Sequence, residues 1–279
     1  MKLAALVLFC IGLDSCNGPE QFQKYSYYVF AAKENADGVS LKHAACFFYK
    51  KSGQLFLVTN WHVISDVDPL SGKPDAIPVH DTLYIRVKSK ATGEWIPCRI
   101  DIREIQRNFH WRRADVVPDV FACKIKLPDD AEVNSIEEFV DKPSTQMEND
   151  REIYVFGYPD GMQFKSPISY YNSYNLIKSY RAIVKYTDSE IQWGPGAKDS
   201  MDFEVITPDD FIGSGYSGSP TFCKVNGHFQ FAGVYFAFDN GGLAMAYVVR
   251  PQIFQKVIDT TKLGVTAVRE DHLPLLEEY

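Results

Sequence analysis

A serine hydroxyl becomes a useful nucleophile only when a base takes its proton and nearby donors stabilise the negative charge that follows. The run Gly213-Ser214-Gly215-Tyr216-Ser217-Gly218-Ser219-Pro220 offers such a serine. Gly215 and Gly218 admit backbone angles closed to other residues, so the chain can double back tightly around Ser217. A turn of that kind exposes the hydroxyl and points successive N–H groups into one concavity, the geometry for attacking a carbonyl. Glycine, serine and proline are also ordinary turn residues, and the run by itself reads equally as a loop between strands. Partners elsewhere must decide.

The base is usually a histidine, and the chain has six: His43, His62, His80, His110, His228 and His272. Only His62 sits where a strand ends on an ordered turn. The apolar, β-branched run Gln54-Leu55-Phe56-Leu57-Val58-Thr59 breaks there at Asn60-Trp61-His62-Val63-Ile64. The third partner should be a carboxylate that orients the imidazole and stabilises its charged form. Asp119 stands at the mouth of the apolar run Val120-Phe121-Ala122-Cys123-Lys124-Ile125, with Asp115 a rival just upstream.

The segments Leu57–Val63, Asp119–Ile125 and Gly215–Pro220 resemble the three catalytic blocks of the trypsin-like (chymotrypsin-fold) serine peptidases. The bacterial branch related to the HtrA and glutamyl endopeptidases is the nearest in pattern. Val155-Phe156-Gly157-Tyr158-Pro159-Asp160-Gly161 is similar to the strand and turn that open that family's second barrel, and the order His, Asp, Ser is the family's own. The resemblance spans roughly residues 26–262.

That resemblance implies an all-β fold of two six-stranded antiparallel β-barrels, chymotrypsin-like, with a C-terminal helix. It implies an endopeptidase acting on polypeptides without a cofactor, with Ser217 as nucleophile, His62 as general base and then acid, and Asp119 as orienter. The backbone N–H groups of Gly215 and Ser217 would form the oxyanion hole. A catalytically silent relative used for binding, or an esterase on the same machinery, are the alternatives. Tyr216 replaces the aspartate that captures a newly cut N-terminus in animal trypsins, so no such zymogen switch is expected, and chain with extra residues before Tyr25 should be as active as trimmed chain. The pocket-base position falls on Phe211, close to Asp209 and Asp210. Gly233-Val234-Tyr235-Phe236-Ala237 should supply the pocket's wall, narrowed by Tyr235 or Phe236, so cleavage after Arg or Lys is not favoured.

The elements that must position these groups read mostly as strands. Aromatic or β-branched runs at 25–32, 43–49, 54–59, 82–88 and 94–100 alternate with turn clusters such as Lys51-Ser52-Gly53. Further runs follow at 175–186, 201–206, 228–238 and 243–249. Short strands so punctuated suggest a barrel or sandwich. Residues 17–127 are assigned to the first barrel, 128–151 to a charged connector with a short helix at 135–140, and 152–262 to the second barrel. Pro251 marks the start of a closing helix with Ile253-Phe254 and Val257-Ile258 at helical spacing. Residues 263–279 read as a tail, and no PDZ-like module is expected there.

With 279 residues, 46% hydrophobic and 23% charged, the chain can bury a sizeable core without cross-links. A net charge of −7 argues against nucleic acid as a partner, since phosphate binding calls for clustered cations. The basic stretch 103–113 reads as a solvated loop. Met1-Lys2 followed by an apolar run to Leu13 has the length of a secretory h-region and is too short to span a bilayer. Export, to a periplasm or out of the cell, is expected. Leu13-Asp14-Ser15-Cys16 resembles a lipobox, which would make Cys16 a lipidated N-terminus and the only link to a membrane; Asp14 departs from that pattern. Cys46, Cys98, Cys123 and Cys223 are expected to be mostly free and buried. No metal-binding motif is present, and a metal is not expected.

Overall fold

The computed structural model describes residues 19–35, 38–65, 80–103, 119–137, 152–158, 178–186, 203–208, 215–239 and 245–270. A 3-10 turn, Pro19–Tyr25, leads into β1 (Tyr27–Asn35), β2 (Gly38–Lys51) and β3 (Gln54–Thr59), then one helical turn, α1 (Trp61–Ser65). β4 (Thr82–Ser89), β5 (Trp95–Asp101), β6 (Phe121–Lys126) and the short β7 (Ala131–Glu132) follow. The second half contributes β8 (Glu152–Gly157), β9 (Lys178–Tyr186), β10 (Phe203–Pro208), β11 (Pro220–Val225), β12 (His228–Asp239) and β13 (Met245–Val249). Helix α2 (Pro251–Thr260) and strand β14 (Gly264–Arg269) complete the described elements.

The strands close into two barrels. The second is six-stranded, in the order β10-β13-β12-β11-β8-β9, closed by the antiparallel pairing of β9 with β10. The first runs β1-β2-β3-β6-β14-β5-β4 and closes through β1 on β4, with β7 hanging from the end of β4. The expectation of six strands in the first barrel, and of a structureless tail from residue 263, is therefore corrected. β14 enters as a seventh strand, parallel to β6 from Gly264 opposite Lys124, and antiparallel to β5 with Ala267 opposite Ile100.

Near-continuous apolar runs in β2, β3 and β6 have a simple cause, because these strands are covered on both faces. Side chains alternate along a strand. Cys46 and Phe48, Leu57, and Phe121, Cys123 and Ile125 point into the first barrel. Their neighbours Phe47 and Tyr49, Phe56 and Val58, and Ala122 point into a layer shared with the second barrel and α2. On α2, Ile253, Phe254, Val257 and Ile258 form one face. Phe254 meets Phe47 of the first barrel at 5.8 Å and Phe231 of the second at 5.3 Å between ring centroids, joining the two. The turn before β1 joins this layer through Phe22 and Tyr25. Trimming the chain to Tyr25 would remove a core side chain, so the expected indifference to residues ahead of Tyr25 is revised.

Cys46, Cys98, Cys123 and Cys223 are buried and held in no disulfide, as their strand settings suggested. Burial pushes the thiol of Cys98 up to about 11 and that of Cys123 up to about 12, and holds Cys46 well above its usual range. Thiolate is the reactive form. A protein lacking residues 1–16 should therefore show no titratable thiol with an aromatic disulfide reagent at pH 8, and all four after denaturation. A fast-reacting thiol in the native protein would contradict this packing.

Candidate active site

Two strand ends and one turn bring the three predicted side chains together. β3 stops at Thr59, and the α1 turn lifts His62 over the edge of the first barrel; its side chain is buried all but a few per cent. Asp119 sits just ahead of β6, the strand paired with β3, so the two residues lie side by side by register. The Asn60 amide fixes the connection by donating to the Asp119 carbonyl at 2.5 Å. One Asp119 oxygen, Oδ1, accepts the backbone N–H of His62 at 2.8 Å, and Oδ2 accepts Nδ1–H at 2.5 Å. Asp119 thus occupies the place for which Asp115 was the rival; Asp115 lies outside the described residues.

With Nδ1 donating, Nε2 carries the lone pair. The hydroxyl of Ser217 donates to it at 2.8 Å. Ser217 belongs to the turn ahead of β11, in the second barrel, so the hydrogen bond crosses between barrels. The turn is tied down on both sides. Ala45 on β2 donates its N–H to the Ser217 carbonyl at 2.8 Å, and Gly218 donates to the Tyr235 carbonyl at 3.0 Å. Ser219 donates to the Tyr216 carbonyl at 2.9 Å, closing the turn around Ser217.

Gly215 and Gly218 take φ of +92° and +83°, in the left-handed region open to glycine. Among the described residues, the N–H groups of Gly215 and Ser217 donate to no carbonyl.

The pocket residues fare differently. Phe211, with Asp209 and Asp210, lies outside the described residues, as does Cys16. Tyr235, expected to narrow a pocket, packs instead inside the second barrel with 1% of its surface exposed, its ring edge-on to Tyr216 at 6.2 Å. What it offers to this region is its backbone, which accepts from Gly218 and donates to Ser219 at 3.0 Å. Sequence reasoning did not single out Tyr158 or Ser26. Tyr158 donates its N–H to the Gly215 carbonyl at 3.1 Å and its hydroxyl to the Ser26 carbonyl at 2.9 Å. Its only sequence signal was its place one residue beyond Gly157, in the block likened to the start of the second barrel.

No family model matches the chain, and no curated protein matches it. Solved structures do. An HtrA-type protease, AlgW, solved with a tripeptide, is similar over 85% of this chain at 12% identity and a TM-score of 0.51. The active form of the Rv3671c protease from M. tuberculosis is similar over 88% of this chain at 13% identity, also with a TM-score of 0.51. The chain spans 60% of the length of the first and 83% of the second. At these identities the likeness shows the fold, which is the two-barrel fold of the HtrA-type serine proteases.

Proposed function

We propose that this chain is a serine endopeptidase that forms an acyl-enzyme on Ser217. The single observation that carries the reading is the imidazole of His62 held at both ends, 2.5 Å from the Asp119 carboxylate and 2.8 Å from the Ser217 hydroxyl. Ser217 Oγ attacks the scissile carbonyl carbon while its proton passes to Nε2 of His62. The new positive charge on the ring lies against Asp119. The carbonyl oxygen becomes an oxyanion, accepted by the N–H groups of Gly215 and Ser217. On collapse the C–N bond breaks, and His62 returns the proton to the leaving amine. Water then repeats the sequence on the ester and frees Ser217.

A polypeptide substrate is supported by the fold shared with HtrA-type proteases, one of which was solved with a tripeptide. Export is part of the same reading and rests on residues 1–16 of the sequence, with lipidation of Cys16 as its membrane-anchored form. Reaction of the mature chain with a fluorophosphonate, followed by peptide mapping of the adduct, tests the proposal. A single phosphonylated peptide carrying Ser217 is expected. A folded chain that stays unlabelled, or is labelled elsewhere, overturns it in favour of a silent barrel pair.

A further inference from the structure

The residues that open the first barrel in sequence are docked in the second. Phe22, in the 3-10 turn, stacks on Phe222 of β11 at 4.5 Å between centroids and meets Phe229 of β12 at 4.6 Å. Phe156 of β8 lies 6.4 Å away. Immediately after the turn comes Ser26, 4% exposed, whose Oγ donates to the Phe156 carbonyl at 2.7 Å. Tyr158, equally buried, returns the contact by donating its hydroxyl to the Ser26 carbonyl at 2.9 Å. The backbone N–H of that same tyrosine donates to the Gly215 carbonyl at 3.1 Å. One buried run of contacts therefore links the aromatic anchor of the N-terminal segment to the glycine beside the nucleophile.

Glycine is the residue least able to hold a conformation on its own. Gly215 can keep φ at +92° only if something outside it fixes its peptide groups. On the downstream side, Ala45 and Tyr235 anchor Ser217 and Gly218. Upstream, among the described residues, the anchor is the N–H of Tyr158 on the Gly215 carbonyl. With that carbonyl released, the glycine can rotate and carry its own N–H away from the oxyanion position, while the N–H of Ser217 stays where it is.

We propose that the docked segment Pro19–Ser26 holds the Gly215–Ser217 turn in its reactive arrangement, with Tyr158 as the positioning residue that carries the constraint. This rests on the reading of Ser217 as a nucleophile served by an oxyanion hole. Tyr158 touches no reacting atom; it acts through Gly215. Its effect falls on the transition state, where the oxyanion exists, and not on initial binding.

The test follows phosphonylation of Ser217 by a fluorophosphonate at saturating concentrations, which separates the maximal rate kinact from the binding constant KI. Tyr158→Phe keeps the ring and removes the hydroxyl that ties it to Ser26. We expect kinact to fall about ten- to hundredfold, the scale of a displaced rather than deleted group, with KI within about twofold of the parent. Phe22→Ala, changed at the ring that packs on Phe222 and Phe229, should lower kinact in the same way. Parental kinact in a folded Tyr158→Phe protein overturns the inference. So does a loss in which KI rises as much as kinact falls, or one explained by unfolding at the assay temperature. Should Phe22→Ala fail to fold, Tyr158→Phe decides alone. An unlabelled parent would instead overturn the peptidase reading itself, so the two failures are distinguishable.

Discussion

Alanine at Ser217 should lower kcat by about 10⁶-fold, and asparagine at Asp119 by about 10⁴-fold, both in proteins that melt close to the parent. The first loss is total for covalent chemistry, since no other hydroxyl is shown within reach of Nε2. Phosphonylation should vanish with it. The second is the more informative. Asp119 accepts two N–H groups at once, from the His62 backbone at 2.8 Å and from Nδ1 at 2.5 Å. An asparagine has one oxygen and must turn its NH₂ toward one of these donors. If that donor is Nδ1–H, the ring escapes the clash by moving its proton to Nε2. It then faces the Ser217 hydroxyl as a donor and cannot take its proton. Steady-state kinetics on a peptide substrate, alongside thermal melts, checks both. Turnover by Asp119→Asn within tenfold of the parent would remove Asp119 from its assigned role.

Gly218→Ala should damage stability and activity together. At φ of +83° an L-residue is strained by about 1–2 kcal/mol. The added Cβ would also lie 2.2 Å from the Ala45 carbonyl oxygen and 2.4 Å from Thr59 Oγ1. Neither neighbour can yield cheaply. Thr59 Oγ1 already donates to that same carbonyl at 2.8 Å, and Ala45 is the residue whose N–H holds Ser217. Overpacking of this kind adds about 1–3 kcal/mol. The combined cost should be about 2–5 kcal/mol, relieved only by pushing the turn off the first barrel. Chemical denaturation should show that loss, and phosphonylation should slow by at least about a hundredfold because the hydroxyl leaves His62. A variant with unchanged midpoint and labelling rate would mean that the inter-barrel contact at Ala45 is not rigid.

His62 and Asp119 were legible because each is a polar residue placed at the end of an apolar run, where register rather than long loops sets position. β3 and β6 carry their own alternation, and His62 and Asp119 follow once the two strands pair. The turn around Ser217 announced itself through glycines that only a left-handed backbone requires. The supporting shell left no such mark. Ser26 and Tyr158 aim their hydroxyls at backbone carbonyls, which every residue possesses, across more than a hundred positions of sequence. Phe22 precedes the first strand and belongs to the core of the other barrel, a pairing that periodicity cannot assign. Tyr235 was assigned to a pocket because its strand borders one by resemblance, yet alternation along β12 turns its ring inward. β14 is six residues with one buried side chain, Ala267, too weak a pattern to separate from a tail.

That last strand has a consequence for biogenesis. On a ribosome, the wall between β5 and β6 must wait until the described strands of the other barrel have emerged, because its missing plank is encoded beyond residue 263. Closure over so long a sequence distance is slow. The nascent amino-terminal half is left as an open, edge-bearing sheet, a natural client for a holdase until the carboxy-terminal plank arrives.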